Sequence, residues 1–296
     1  MNSKASQWPK ISVILGNFNY EQWVERAVLS VVEQDYPNLE FLVIDDGSTD
    51  RSIEILNKYK ASFDYWNPRE NKGHFSWVQE GCERATGDLI NWLCSDDYLA
   101  PEALWKVGQQ FKEKPCDLIT GEAIRWTGTT PQRLKPQVPA RFSEIFSKGL
   151  VLPQPATFIR TALFRQALPP KGMVDVLVDT ALYLKLWAQL DSQITFQIIP
   201  NTLAHVENHP NAQTSRKGLI TKAEILRIYN WLEEGCQGKN RELTRKRKRL
   251  HARLDKLETI AASSQEGLSK LIHLLLHEPR IIIERSFWGA VRKKIV

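Results

Sequence analysis

Leu89-Ile90-Asn91-Trp92-Leu93-Cys94-Ser95-Asp96-Asp97 carries an apolar run directly into a Ser-Asp-Asp triplet. The run reads as a buried strand and the triplet as its carboxyl end, the place where open α/β sheets bind their ligands. Adjacent carboxylates repel each other, and a divalent cation is the commonest way to make such a pair favourable. The triplet is thus a candidate metal and nucleotide site. The alternative is a solvated loop in which Asp96 or Asp97 caps a helix opening at Pro101. A second acidic turn, Asp45-Asp46-Gly47-Ser48-Thr49-Asp50, follows another apolar run, Phe41-Leu42-Val43-Ile44. Two parallel strands that both end in acid point at one crevice.

Outward from these two turns, near-continuous apolar runs at residues 11–15, 41–44 and 89–94 have the pattern of strands covered on both faces. Between them, residues 21–33, 50–59 and 75–85 have helical period, and a helix at 101–112 and a strand at 117–120 follow. Such alternation predicts an α/β fold with a mostly parallel sheet and right-handed crossovers. The first strand is followed by Gly16-Asn17-Phe18-Asn19 and not by Gly-x-Gly-x-x-Gly, which disfavours a dinucleotide-binding Rossmann site. Residues 127–139, rich in Thr, Pro, Gln and Lys, are expected to form an exposed loop, a flap over a substrate. A short strand within 153–167, a helix at 179–190 and a strand at 194–200 complete the body, and beyond His209 the composition turns helical and basic.

The 296 residues, 42% hydrophobic, supply a real core. Cys82, Cys94, Cys116 and Cys236 show no Cys-x-x-Cys spacing, so neither a zinc ribbon nor a disulfide framework is suggested, and reduced thiols in a cytoplasmic protein are expected. Residues 1–10 lack the apolar stretch of a signal peptide, and no run approaches the roughly 18 residues of a membrane span. Charge is distributed unevenly. Residues 215–296 carry 19 Lys+Arg against 9 Asp+Glu, a balance of +10; the chain totals of 40 and 34 leave 21 and 25 before them, or −4. The expected organisation is a domain over residues 1–214 and a helical, basic region over 215–296 whose partner is a polyanionic surface.

A series of motifs runs along the chain: Ile11-Ser12-Val13-Ile14-Leu15 with Asn19-Tyr20; Ser30-Val31-Val32-Glu33-Gln34-Asp35-Tyr36-Pro37-Asn38; the two acidic turns; Glu70-Asn71-Lys72-Gly73; and Ala85-Thr86-Gly87-Asp88 before the triplet. Gln154-Pro155-Ala156-Thr157-Phe158, Val178-Asp179 opening a helix, and His209-Pro210-Asn211-Ala212-Gln213-Thr214 follow in order. With these motifs the chain resembles, over approximately residues 10–215, the family 2 glycosyltransferases, inverting, nucleotide-sugar-dependent enzymes with the GT-A fold.

That resemblance implies roles position by position. Asp45 or Asp46 would contact the base or ribose of the donor nucleotide, with Asn19 and Lys72 beside them and Arg69 on the same loop as Lys72. Asp96 would face the ribose or sugar. Asp97 would ligate Mg²⁺ or Mn²⁺ bridging the diphosphate, with His209 near the metal; hard oxygen ligands suit those ions. Asp179 occupies the position of the catalytic base that takes the proton of the acceptor hydroxyl. The implied donor is a nucleoside-diphosphate sugar, UDP being the commonest carrier, and the implied acceptor a glycan or lipid-linked saccharide. The chain departs from the family pattern at Gly16-Asn17, where Pro-Thr is usual, and at Val178-Asp179-Thr180-Ala181, where the surroundings are usually more acidic.

Trp23, Trp77 and Trp187 fall on helix stripes and are expected in the core, whereas Trp126, beside the expected flap, is a candidate acceptor contact. The tail combines apolar residues 271–277 and 281–283, Phe287-Trp288 and Arg292-Lys293-Lys294, a composition suited to an anionic membrane surface at the inner face of the plasma membrane. Its alternative partner is the domain itself or a second copy of the chain. Two other readings of the chain are a nucleotide-sugar or glycan binder without catalysis and a nucleotidyltransferase. A third uses Arg245-Lys246-Arg247-Lys248-Arg249 on nucleic acid; no RNP, helix-turn-helix or zinc signature accompanies that run, so no nucleic-acid partner is expected.

Overall fold

The computed structural model of the chain describes residues 7–209, 212, 220–235 and 245. The three apolar runs form β1 (Ile11–Asn17), β2 (Leu39–Asp45) and β4 (Leu89–Cys94), joined in parallel with β1 central, and β3 (Tyr65–Pro68) adds to the outer edge of β2. Beyond β4 the sheet continues through β8 (Thr157–Arg160), β6 (Leu118–Thr127), β9 (Phe196–Asn208) and β5 (Tyr98–Leu99), giving the order β3-β2-β1-β4-β8-β6-β9-β5. Here the directions are mixed: β8 runs antiparallel to β4 and β6, β9 parallel to β6, and β5 antiparallel to β9. The result is the expected α/β sandwich, a mostly parallel sheet between helices.

Strand alternation sorts the core into two layers. Ile11, Val13, Leu15, Phe41, Val43 and Leu93 face α1 (Val24–Val32), α2 (Ser52–Tyr59) and α4 (Ala103–Glu113). Ile14, Leu42, Ile44, Ile90 and Trp92 face α3 (His74–Arg84), α6 (Thr161–Ala167) and α7 (Val178–Leu190), with α5 (Phe142–Lys148) at their margin. In α1 the buried residues are Val24, Ala27, Val28 and Val31, the i, i+3, i+4, i+7 stripe of a helix lying on a sheet. A further helix, α8 (Ile220–Gly235), buries Ile228, Tyr229 and Leu232 in the α7 layer. No helix among the described residues is long and apolar enough to cross a membrane. The apolar and cationic clusters expected at 271–294, most of the basic run 245–249 and Cys236 lie outside the described residues.

Two expectations change. Residues 127–139 are not wholly loop: β6 extends to Thr127, turns at Gly128 (φ 59°) and returns as β7 (Thr130–Leu134), with Thr127 opposite Thr130. Almost all of β7 is exposed, so no buried face imposes the period of two by which a strand is recognised. The strand expected at 194–200 runs on to Asn208, past Pro200. Register shifts between Gly121 and Ala123 of the neighbouring strand absorb the irregularity.

One carboxylate binds the start of the sheet together. Glu40, in β2, accepts hydrogen bonds from Lys10 Nζ (2.6 Å), the Ser12 hydroxyl (2.6 Å) and the Thr86 amide (2.6 Å), and also from the Thr86 hydroxyl. Burial by itself would raise its pKa, but these donors outweigh burial and bring it down to about 2 from an ordinary 4.5. A carboxyl depressed in this way stabilises the fold above its unfolded pKa and loses that contribution as pH falls through the folded value. Glu40→Gln is expected to cost about 1–3 kcal/mol at pH 7. Urea unfolding measured against pH should show the difference from wild type narrowing from about 4.5 down to about 2.

Candidate active site

The ends of β1 and β2 build one wall of a crevice. Asn17 and Asp45 are paired in register, and the Asn17 side-chain amide donates to the Asp45 carboxylate at 2.7 Å. Asp45, fully buried, also accepts the Ser48 amide (2.8 Å) and hydroxyl (2.6 Å), which closes the acidic turn around it. Asn19, at φ 56°, accepts the Thr49 amide at 2.7 Å and ties the β1–α1 loop to the same turn. Asp46, likewise buried, accepts the amides of Lys72 (3.0 Å) and Gly73 (2.9 Å) and pairs with the Arg69 guanidinium at 2.7 Å. Arg69 is shared with Glu80 (2.9 Å), and the Lys72 side chain is exposed. The departure at Gly16 has a packing reason: a Cβ there would lie 2.1 Å from the Trp77 ring, which fills the space under the loop.

The triplet after β4 forms the floor. Ser95, buried, donates its hydroxyl to the Gly16 carbonyl at 2.7 Å and fixes the end of β4 to the end of β1. Asp96 and Asp97 are both buried and do not cap α4. Asp96 lies 3.2 Å from His209 Nε2, and the His209 ring stacks on Trp23 at 4.3 Å with Tyr20 at its edge. Trp23 is therefore a half-buried residue of this site just ahead of α1, and not the core residue its spacing suggests; Trp77 and Trp187 are core. Asp97 accepts the Glu207 amide at 3.3 Å. Burial, and then the Asp96 charge beside it, push the Asp97 pKa well above the usual carboxylate range, against the pull of Arg125.

The sequence gives no hint of Arg125 and Arg26. Arg26 donates to the Asp96 carbonyl (3.3 Å), pairs with Glu207 (3.1 Å) and lies over the Tyr98 ring at 4.1 Å. Tyr98 in turn stacks on His205 (4.5 Å, 7°), and Trp126 donates its indole N–H to His205 Nδ1 at 3.1 Å. Trp126 thus belongs to a packed aromatic ladder beside the triplet. The signal for His205 and Glu207 was available: they stand two apart in β9 and so on one face of that strand, and His209 follows just beyond its end.

Asp179 sits in the first turn of α7, partly buried, with Oδ1 accepting the Thr180 amide at 2.7 Å. Burial raises its pKa despite that bond, and the charge of Glu224 adds to the rise. Asp179 and the triplet converge on the thiol of Cys94, which burial pushes up first, followed by the charges of Asp96, Asp97 and Asp179. The structure thus gathers Asn19, Asp45, Asp46 and the Lys72 amide around the first acidic turn and Asp96, Asp97 and His209 at the end of β4, with the charge of Asp179 acting on the Cys94 thiol beside them.

Among the described residues no group of three or more His, Cys, Asp or Glu side chains forms a complete metal cage. Mg²⁺ and Mn²⁺ do not require one; such ions are held through one or two carboxylates, with the remaining positions filled by phosphate oxygens and water. Asp97 is a buried oxygen donor whose charge is opposed by its surroundings, and a cation is the partner that reverses that opposition. His209 Nδ1 is buried without a hydrogen-bond partner among the described residues. The donor set fits a hard divalent ion.

The family model described as "Glycosyl transferase family 2" matches residues 12–167, just over half of the chain, and ends before Asp179 and His209. An uncharacterized glycosyltransferase of Haemophilus influenzae is 41% identical over 102 residues, covering 33% of this chain and 40% of that protein. A GalNAc(5)-diNAcBac-PP-undecaprenol beta-1,3-glucosyltransferase of Campylobacter jejuni is 26% identical over 148 residues, covering 49% and 48%. The chain therefore spans less than half the length of these two relatives. Among solved structures, S. aureus TarS 1-349 in complex with UDP-GlcNAc superposes with a TM-score of 0.62 at 20% identity, covering 75% of this chain and 65% of that one, a likeness of GT-A fold.

If Asp97 is held ionised against its environment, removing its charge should relieve the ligand-free protein. Asp97→Asn is expected to leave the melting temperature at pH 7 equal to or a few degrees above wild type, since about 1 kcal/mol moves the midpoint of a chain this size by roughly 2–4 °C. A clear drop in the melting temperature would mean that the Asp97 charge supports the fold.

Proposed function

The chain belongs to glycosyl transferase family 2, and from that membership we propose that it transfers a sugar from a nucleoside-diphosphate donor to an acceptor hydroxyl with inversion at the anomeric carbon. The observation that supports the reading most is the buried Asp96–Asp97 pair at the end of β4, with the charges of Asp96, Asp97 and Asp179 all acting on the Cys94 thiol. Asn19, Asp45, Asp46 and Lys72 form the wall for base and ribose, and Asp96 faces the ribose or sugar. Asp97, with His209, would hold Mg²⁺ or Mn²⁺. That ion, when bound, supplies positive charge to the diphosphate that leaves.

Asp179 then accounts for the remaining step. Its carboxylate accepts the proton of the acceptor hydroxyl as the hydroxyl oxygen bonds to the anomeric carbon. Attack comes from the face opposite the diphosphate, whose bond to that carbon breaks and which departs with the bond's electron pair. The raised pKa of Asp179 makes it a stronger base than an exposed aspartate, closer to the pH at which it works. A UDP-sugar is the proposed donor, supported by the fold shared with the UDP-GlcNAc-bound neighbour. A glycan or lipid-linked saccharide is the proposed acceptor, supported by the undecaprenol-linked acceptor in the name of the C. jejuni relative. With a +10 tail, such an acceptor places the protein in the cytoplasm, peripheral at the inner face of the plasma membrane; a second copy of the chain is the alternative partner of that tail.

Asp179→Asn keeps the shape of the side chain and removes the base. Transfer is expected to fall by about 10²-fold or more with donor affinity nearly unchanged, the split that marks loss of a transition-state interaction. Wild-type turnover should rise with pH through the Asp179 pKa, because only the ionised form accepts the proton. A variant that keeps its turnover moves the base elsewhere, and one that also loses donor binding makes Asp179 part of the nucleotide site.

A further inference from the structure

Helix α8 reaches into the catalytic layer through one buried charge. Glu224 is 1% exposed, and its carboxylate accepts three consecutive amides at the entry to α7. The Asp175 N–H lies 2.8 Å from Oε1, the Val176 N–H 3.2 and 3.1 Å from the two oxygens, and the Leu177 N–H 2.8 Å from Oε2. The helix that follows has no side-chain cap of its own, and Asp179 is its second residue. Arg227, one turn further along α8, donates to the Met173 carbonyl at 3.0 Å, so the same helix holds both ends of the 173–177 turn. The turn also reaches the donor wall: Asp175 Oδ1 accepts the His74 amide at 3.1 Å, and the adjacent Lys72 and Gly73 amides are those bound by Asp46.

We propose that Glu224 is the positioning residue of Asp179: through the turn at 175–177 it fixes where α7 begins, and so where the Asp179 carboxylate stands relative to the triplet. The inference rests on Asp179 acting as the base. A buried carboxylate that accepts three amides leaves the turn a single arrangement, and a base displaced by about 1 Å can lose on the order of 10²-fold in rate. Glu224 also acts through space. The groups that face Asp179 are Glu224 from α8, Thr180 and Tyr183 from its own helix and Cys94 from β4, with Asp96 and Asp97 beyond the thiol. Of these, Glu224 is the charge that neither the triplet nor α7 supplies, and it favours the protonated form of Asp179. Helix α8 thereby sets both the place and the basicity of the base.

The test is Glu224→Gln in the full-length chain, read in two ways. The first needs no substrate: the ¹³C shift of the Asp179 carboxyl, assigned by its loss in Asp179→Asn, is titrated in both proteins. The midpoint in E224Q is expected at lower pH than in wild type. The second is UDP release with water as acceptor, from whichever of UDP-GlcNAc, UDP-glucose and UDP-galactose wild type hydrolyses fastest. Turnover is expected to fall by about 10-fold or more with KM for the donor within about twofold, and E224Q should cost no more than about twofold on top of Asp179→Asn. A folded E224Q with wild-type titration midpoint and turnover overturns the inference, as does a loss that adds in full to that of Asp179→Asn. If E224Q does not fold, Glu224→Asp, which keeps the charge but shortens its reach, is expected to lower turnover, and unchanged turnover overturns the inference. Retained turnover in Asp179→Asn alone refutes the base assignment, whereas loss in Asp179→Asn beside an inert E224Q refutes only the positioning role.

Discussion

Buried carboxylate charge at the carboxyl end of a parallel sheet is the constraint on which the rest of this structure depends. Asp45, Asp46 and Glu224 meet it with backbone amides, the Ser48 amide, the Lys72 and Gly73 amides, and the amides of 175–177, and the half-buried Asp175 accepts the His74 amide in the same way. Hydrogen bonds to a charged acceptor contribute about 1.5–3 kcal/mol each, so four acidic side chains become struts that set the loops around the crevice. Asp97 is placed differently. It receives one long bond from the Glu207 amide, and burial with the neighbouring Asp96 opposes its charge. Groups held against their solvation preference cluster at sites of chemistry, because that opposition is released when the ligand arrives.

The same contrast explains why the helical layers are as they are. Gly16 exists where it does because Trp77 of α3 occupies the volume of its side chain, and Ser95 can then bind the Gly16 carbonyl and align the ends of β1 and β4. Asn17, the other residue of that departure, spends its amide on Asp45 and Ser48 at 2.7 and 3.0 Å and holds the acidic turn from the side. The unusual pair is a local repacking that preserves the wall. The 173–177 turn connects the donor loop to α8, so that helix is tied to the first acidic turn through three carboxylates in series.

Much of this was legible in the sequence, for physical reasons specific to each element. Strands β1, β2 and β4 are covered on both faces, and their unbroken apolar runs say so; the acids that follow them mark the ligand end of the sheet. Strand β7 was not legible because water covers it on almost every residue, and the length of β9 was masked by Pro200 and by the register shift opposite Gly121. Trp23 illustrates the limit of periodicity: it falls on the stripe of α1 but lies ahead of its first turn, where it stacks on a histidine 186 positions later. Arg26, Arg125 and Glu224 carry no local signal at all. Each is an ordinary charged residue of a helix or strand until the fold sets it against a buried acid, and only the three-dimensional partner makes it informative.

The central claim is that the acidic floor at the end of β4 is a nucleotide-diphosphate site completed by a divalent ion. Isothermal titration of the full-length wild-type protein with UDP, once in Mn²⁺ and once in EDTA, addresses it directly. The account predicts one UDP per chain in Mn²⁺ and an affinity at least about tenfold weaker in EDTA, a difference of about 1.4 kcal/mol. Equal affinity in the two buffers, or no UDP binding in either, would contradict it.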